Sequence, residues 1–507
     1  MRCDDLDEDF SKATPTRHWS MTQTNIPLIS KFIFFAALAL SPLLFGSVYP
    51  WAYGLMEIAV LLSFGLLFWR NHRFSLLGFF GGGWGAACLA GLVFMAGLQL
   101  IPLPGPLVKF LAEPIYNLWK LQFLPPNLPH PGSLIPLTLY PYATASVGIL
   151  FLCYWLAFVL ARAMAVQGSA LHPRPGIILY VVVAAAVSVA LVGIAQKGLN
   201  ARAIYGFFTP LHSGSFMGPY VNYNHFAGCL ELALPISISL LGFALIPSAR
   251  HARSLGAGWL LVGAIVVMLA ALFMCSSRGG ILSFATVAAA QLLVLFGLLS
   301  VRKIKGAIWV YIALAVIIMG VAVHITDWSN TLPRFQKIIS QDPHQNIRWK
   351  LFNDVAAMGN RLPLTGSGLG TFAVAYPFFK TLDRQGLFNH AHNDYLEFLA
   401  EMGWPGLLLF LGFAGWVLWR GGRVIFKALV LRTRGDPDLA QRALLITGSM
   451  GGVISLLLHG LTDFNLRIPA NALTWFALCG VTVGLSDLGT PLRRQQPVGE
   501  DQRDLLA

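Results

Sequence analysis

The sequence predicts an all-α polytopic membrane protein of about 12 transmembrane helices, with a large periplasmic loop between helices 9 and 10. Three observations carry this expectation. Apolar residues make up 56% of the 507 and charged residues only 11%, a balance that would leave a soluble chain of this length insoluble. Runs of roughly 18 to 24 mostly apolar residues recur, each long enough to cross ~30 Å of hydrocarbon at ~1.5 Å per residue. The runs are continuous rather than alternating, which argues against membrane strands.

Residues 1–29 open the chain with the acidic run Asp4, Asp5, Asp7, Glu8 and Asp9 and show no basic n-region or cleavage site of a secretory signal. They are expected to form a cytoplasmic tail, with Met21 as a second candidate start. Apolar runs follow at 30–48, 52–69, 79–101, 142–164, 176–196, 226–246, 256–275, 279–299 and 306–326, giving a membrane region over 30–326. Residues 327–397 are polar and rich in His, Arg, Asn and Trp; such a stretch can neither cross a bilayer nor serve as a short connection, so chemistry is expected there. Runs at 398–419, 443–461 and 468–486 complete the membrane part, and 487–507 form a second cytoplasmic tail.

Orientation follows from the basic residues, which are retained on the cytoplasmic side near span ends. An inside N-terminus puts Arg70, Arg73, Arg162, Arg174, Arg250, Arg253, Arg302, Lys303 and Lys305 in cytoplasmic loops, with the group from Arg420 to Arg442. The long loop then faces outward, with the Pro-rich stretch 102–141 and the connection 197–225. The net charge of +13 is accounted for by this topology and by anionic lipid, so no nucleic-acid partner is implied.

Within the outer segments, 344–358 reads as an amphipathic helix with Ile347, Leu351, Val355 and Met358 on one face and Arg348 and Phe352 beside it. Gly366-Ser367-Gly368-Leu369-Gly370 follows no strand and is read as a turn rather than a phosphate loop. His390 and His392 lead into the tenth span. Imidazole accepts a proton near neutral pH, and Asp394 or Glu397 would orient it, although the same residues would also serve as helix caps or ligands of interfacial water. Arg278, between two spans, and Arg348 carry planar forks of donors suited to phosphate oxygens; each alone would equally be an interfacial anchor or ion-pair partner. Asn222, Tyr223, Asn224 and His225 add amides and rings suited to sugars or to an ordinary interface belt. Cys88, Cys153, Cys229, Cys275 and Cys479 fall in or at the ends of apolar runs, and no metal-ligand spacing or disulfide framework is recognised, so neither metal nor cofactor is predicted.

Taken together, these residues resemble the O-antigen ligase family, which includes O-antigen polymerases and bacterial O-linked oligosaccharyltransferases. The resemblance rests on His392-Asn393 followed by Gly403 and Gly406, on Asn-x-Asn-His-Phe-Ala at 222–227, on Ser-Ser-Arg-Gly at 276–279, on Gln99-Leu100-Ile101-Pro102-Leu103-Pro104, and on the large outer loop. It covers most of residues 80–460.

The resemblance implies a metal-independent glycosyltransferase in the bacterial inner membrane, with its active site facing the periplasm. Its donor would be a glycan on undecaprenyl diphosphate, and its acceptor a lipid A core or a second lipid-linked glycan. His392 matches the family histidine that activates the acceptor hydroxyl, Arg278 the arginine that engages the donor diphosphate, and Arg348 a loop arginine. Asn393 and Glu397 are implied as supporting groups in substrate binding, with Asn222, Asn224 and His225 nearby in the pattern. Protein O-glycosylation by the same chemistry is an alternative. Transport or flipping of a polysaccharide is another, against which stand the lack of an internal repeat and the gathering of polar groups outside the spans, Glu57 and Glu231 excepted.

Overall fold

The structure, a computed structural model, describes residues 26–70, 83–120, 134–167, 176–210, 216–245, 255–300, 347–382, 388–430 and 437–488, together with Trp309, Ala313 and Gly320. In chain order its helices are α1 (Leu28–Leu40), α2 (Pro50–Arg70), α3 (Trp84–Leu100), α4 (Gly105–Leu111), α5 (Glu113–Leu118), α6 (Pro141–Gln167), α7 (Ile177–Gly198), α8 (Tyr223–Leu245), α9 (Leu255–Cys275), α10 (Arg278–Ser300), α11 (Ile347–Arg361), α12 (Phe372–Ala375), α13 (Asp394–Val430), α14 (Pro437–His459) and α15 (Pro469–Asp487). Extended structure among the described residues amounts to the antiparallel pair Leu103–Pro104 with Leu134–Ile135 and two isolated bridges. The fold is all-α.

Among the described residues eight helices are long and apolar enough to cross a membrane: α2, α6, α7, α8, α9, α10, α13 and α14; α1 and α3 are shorter apolar helices. The chain is a multi-pass membrane protein. The expected span at 306–326, apart from the three isolated residues named above, and the loop residues 327–346 lie outside the described residues. The first expected span, 30–48, is shorter as a helix than its hydropathy suggests. α1 stops at Leu40, Pro42 contributes no N–H to continue it, and Phe45, Gly46 and Ser47 all take positive φ, which turns the chain toward α2.

Two compact units make up the chain, one comprising Met1–Ala163, Gln341–Trp416 and Gly460–Leu473, the other Met164–Ser340, Val417–His459 and Thr474–Ala507. In the first, α1 and α2 are joined by reciprocal hydrogen bonds, the Ser30 hydroxyl donating to Ser63 O at 2.7 Å and the Ser63 hydroxyl to Ser30 O at 2.8 Å. A hydrophobic core forms where Val108, Ile115, Ile135 and Leu137 meet Leu351, Val355, Met358, Phe372 and Tyr376. The 3.6-residue period of α11 produces this: Leu351, Val355 and Met358 fall on one buried stripe. Ile347, expected on the same face, is 41% exposed at the first turn, where the core does not reach.

A break in α13 shapes the same unit. Gly403 takes φ 63° and ψ −173°, and Pro405 lacks an N–H, so the carbonyls of Ala400 and Glu401 lose their helical donors. The turn at 366–370 replaces them. Ser367 N–H donates to Ala400 O at 2.9 Å and Gly368 N–H to Glu401 O at 3.0 Å, while the buried Gln99 amide donates to Glu401 O at 2.9 Å. Gly366 has φ 62°, and a Cβ on it would lie 2.1 Å from the Glu401 carbonyl carbon, so this glycine turn serves a helix kink.

In the second unit α8 is the hub against which α7, α9, α10 and α14 pack. Small residues permit the close approach: a Cβ on Gly448 would lie 2.8 Å from Ser239 Cβ, and one on Gly452 would lie 2.5 Å from Leu232 O. Glu231 is fully buried here and pairs with His459, its Oε1 2.7 Å from Nδ1, so this acid within a span is matched by a partner of the same unit.

Candidate functional site

In the first unit the site is built around the entry to α13 and the short connection 460–467. Asn393 is the N-cap of α13: its Oδ1 accepts the Leu396 N–H at 3.0 Å, a bond of the kind whose loss costs about 1 kcal/mol. Its amide nitrogen donates to Leu461 O at 3.0 Å, and the Asp394 N–H donates to Gly460 O at 2.8 Å. The helix start is thus fastened to the connection on two sides. From the other direction, the Leu466 N–H donates to Asp394 Oδ2 at 3.2 Å.

His392 precedes this cap and holds φ 51°, a left-handed backbone that costs an L-residue about 1–2 kcal/mol. That conformation sets Nδ1 3.5 Å from Oδ1 of the buried Asp463. The distance is that of an ion-pair contact and is too long for a formed hydrogen bond. Nδ1 is itself buried, yet the side chain is 32% exposed, so that exposure belongs to the rest of the side chain. His392 also meets Phe464 edge-on at 5.0 Å, while His390 stacks on the same phenyl at 4.0 Å and 17°.

Beneath the imidazoles lies a buried charge cluster. Glu397 takes His390 Nδ1 at 2.8 Å on Oε1 and the Ala391 N–H at 2.8 Å on Oε2, with Arg467 Nε 3.4 Å from Oε1. Arg467 donates to Glu401 Oε2 at 2.6 Å, and its guanidinium lies 4.7 Å above the Phe398 ring. Glu401 Oε1 accepts the Phe372 N–H at 2.9 Å, which ties the cluster to α12. Burial alone would lower the Arg467 pKa, but Glu401, Glu397 and Asp394 raise it, and the guanidinium is held above its ordinary value. Arg348, exposed on α11, reaches Thr462 O with Nη1 at 3.5 Å, beside Asp463.

The sequence-predicted residues of the first unit therefore gather at one place, but in different roles. His392 and Arg348 present exposed polar groups. Asn393 and Glu397 are buried and have their polar atoms occupied by the protein. Sequence reasoning missed Asp463, Phe464, Arg467 and Glu401. A signal existed in Thr462-Asp463-Phe464-Asn465-Leu466-Arg467, a connection between two apolar runs that holds both an acid and an arginine.

Arg278, Asn222, Asn224 and His225 belong to the second unit. Ser276 turns the chain between α9 and α10 with φ 55°, and Ser277 caps α10, its hydroxyl accepting the Gly280 N–H at 3.3 Å. The same hydroxyl donates to Asn224 Oδ1 at 2.8 Å, and the Asn224 N–H donates to Asn222 Oδ1 at 2.9 Å. Asn222 and Asn224 thereby link the start of α8 to the start of α10. Arg278 is the first residue of α10 and half-buried, so its guanidinium adds to the positive end of the helix dipole. His225 is buried in the first turn of α8. Among the described residues, no three or more of His, Cys, Asp and Glu gather in a way suited to holding a metal ion.

Residues 263–411 match a family model described as O-Antigen ligase, a stretch that takes in Arg278, Arg348, His392, Asn393 and Glu397. No curated protein matches the chain.

Proposed function

We propose that this chain, a member of the O-antigen ligase family and hence an enzyme of glycosyltransferase type, moves a glycan from undecaprenyl diphosphate to an acceptor hydroxyl at the periplasmic face of the inner membrane. The observation that carries the reading is His392: a strained, part-exposed imidazole whose buried Nδ1 faces Asp463. In this mechanism Nε2 takes the proton of the acceptor hydroxyl as its oxygen attacks the anomeric carbon. The bond from that carbon to the diphosphate breaks, and the lipid diphosphate leaves. A base so placed contributes ~10²- to 10⁴-fold. Asp463 orients the ring and stabilises the imidazolium that forms, while Asn393 and Glu397 act as positioning groups through the helix cap and the charge cluster.

Arg278 is assigned to the donor diphosphate, supported by its place at the positive end of α10, with Arg348 as a second cation. The activated bond already resides in the lipid donor, so no nucleotide takes part, and the arginines supply the charge that stabilises the leaving group. The acceptor is a lipid A core or a second lipid-linked glycan. The test is transfer by the purified full chain from undecaprenyl-diphosphate glycan to each acceptor in turn. His392→Ala is expected to lower kcat by ~10²-fold or more with donor affinity retained. Arg278→Ala is expected to weaken donor binding. Normal transfer by the His392 variant removes that residue from the mechanism, and no transfer by the unaltered chain to either acceptor removes the reading itself.

A further inference from the structure

We propose that His390 is a second substrate-binding imidazole, hydrogen-bonded through Nε2 to a hydroxyl of the acceptor sugar; this rests on the transferase reading above and adds a contact to its acceptor subsite. The ring is fixed on two sides. One face lies on Phe464, with centroids 4.0 Å apart, and Nδ1 is 2.8 Å from Glu397 Oε1. Glu397 is held in turn by the Ala391 N–H at 2.8 Å and by Arg467 at 3.4 Å, so it is a rigid acceptor. With Nδ1 engaged by the carboxylate, Nε2 is the ring nitrogen left to hydrogen-bond a substrate O–H.

The side chain is 33% exposed although its Nδ1 edge and one face are covered, which leaves the second face and the edge that carries Nε2 to account for that exposure. An imidazole serving only to neutralise Glu397 would need no open edge, and Arg467 and the Ala391 N–H already serve that carboxylate. His390 and His392 contact the same phenyl ring, at 4.0 and 5.0 Å, so a sugar whose hydroxyl reaches His392 brings its other hydroxyls beside His390. His392 takes the reacting proton, and His390 holds a hydroxyl that does not react.

Two near-isosteres separate substrate contact from structural support. The His390→Asn amide overlies Nδ1 and keeps the Glu397 bond but loses Nε2, whereas the His390→Gln amide reaches toward Nε2 and gives up the Nδ1 position. With the purified full chain, undecaprenyl-diphosphate glycan as donor and lipid A core or lipid-linked glycan as acceptor, His390→Asn is expected to raise the acceptor KM about tenfold, the worth of one such hydrogen bond, with donor KM unchanged. His390→Gln is expected to keep acceptor KM closer to the starting value. An Asn variant that behaves like the unaltered chain, a Gln variant that loses as much as Asn, or a shift in donor KM instead overturns the proposal. A measurement on the unaltered protein guards against misfolded variants: acceptor, and not donor, is expected to slow carbethoxylation of His390 read by mass spectrometry, and an unchanged rate also overturns it. Absence of any transfer by the unaltered chain counts against the parent reading, whereas transfer with no His390 effect counts against this proposal alone.

Discussion

Asp463 Oδ1 stands 3.5 Å from His392 Nδ1, and neither side chain is free to choose that distance, because Asn393 and Asp394 fasten the α13 entry to Leu461 and Gly460. A carboxylate so held faces the ring nitrogen at ion-pair distance and is placed to stabilise positive charge that develops on the ring in the transition state. Asp463→Asn keeps the shape and removes the charge. It is expected to lower kcat at least about tenfold, short of the ~10²-fold or greater loss of His392→Ala, with both KM values little changed. Steady-state kinetics decide it, and a fall in donor affinity with kcat intact would move Asp463 out of this role.

Arg467 donates a hydrogen bond to Glu401 within the buried cluster of Glu397, Glu401 and Asp394, and breaking a buried pair by removing one partner costs about 3–5 kcal/mol. Arg467→Met is therefore expected to lower the unfolding midpoint of the detergent-solubilised protein strongly. Adding Glu401→Gln should recover part of the loss, since one uncompensated charge disappears while Oε1 still accepts the Phe372 N–H. Equal stability of the single variant and the unaltered chain would show that the cluster does not depend on the guanidinium.

Gly403 tests the link between sequence motif and backbone. Its φ 63°, ψ −173° conformation is essentially confined to glycine, and a Cβ there would lie 2.6 Å from Pro363 O. Gly403→Ala is expected to cost about 3 kcal/mol or more from strain and clash together. The kink would then straighten and release the 366–368 turn, so a protease-sensitivity assay should show earlier cleavage in residues 363–382 than in the unaltered chain. Unchanged cleavage and stability would mean that the kink forms without glycine.

The membrane helices were legible because hydropathy is a local property: the boundaries of α9 and α10 fall within a residue of the apolar runs. The stripe of Leu351, Val355 and Met358 was legible for the same reason, since its period lies within the helix itself. Break points were less so. Phe45, Gly46 and Ser47 reverse the chain inside an apolar run that hydropathy reads as continuous. The site was half legible. His392 and Asn393 are neighbours in a recognisable pattern, but Asp463 reaches His392, and Arg467 reaches Glu397 and Glu401, only through tertiary contact across some 70 residues, a pairing that no local pattern encodes. Glu397 read as a polar group near substrate, and only its three partners reveal it as buried support.

Tyr376 lies in the hydrophobic core of the first unit that α11 and α12 share. Its hydroxyl donates to Asp354 Oδ2 at 3.0 Å, and Thr381 completes the site with its N–H at 2.9 Å and its hydroxyl at 2.6 Å, so this carboxylate pins the chain after α12 to α11. Burial first, then the hydrogen bond and negative charge of Asp354, push the Tyr376 phenol above its ordinary value of 10.0. The unfolded chain therefore ionises this phenol at lower pH than the folded protein does. Its contribution to stability is fully present below pH 10 and is lost as pH rises from there through the higher folded value. Tyr376→Phe is expected to lower stability by about 1.5–3 kcal/mol near neutral pH, the range for a hydrogen bond to a charged group. The variant should also show a shallower loss of stability above pH 10 than the unaltered chain, read as unfolding midpoint against pH; parallel curves would mean that the phenol titrates alike in both states.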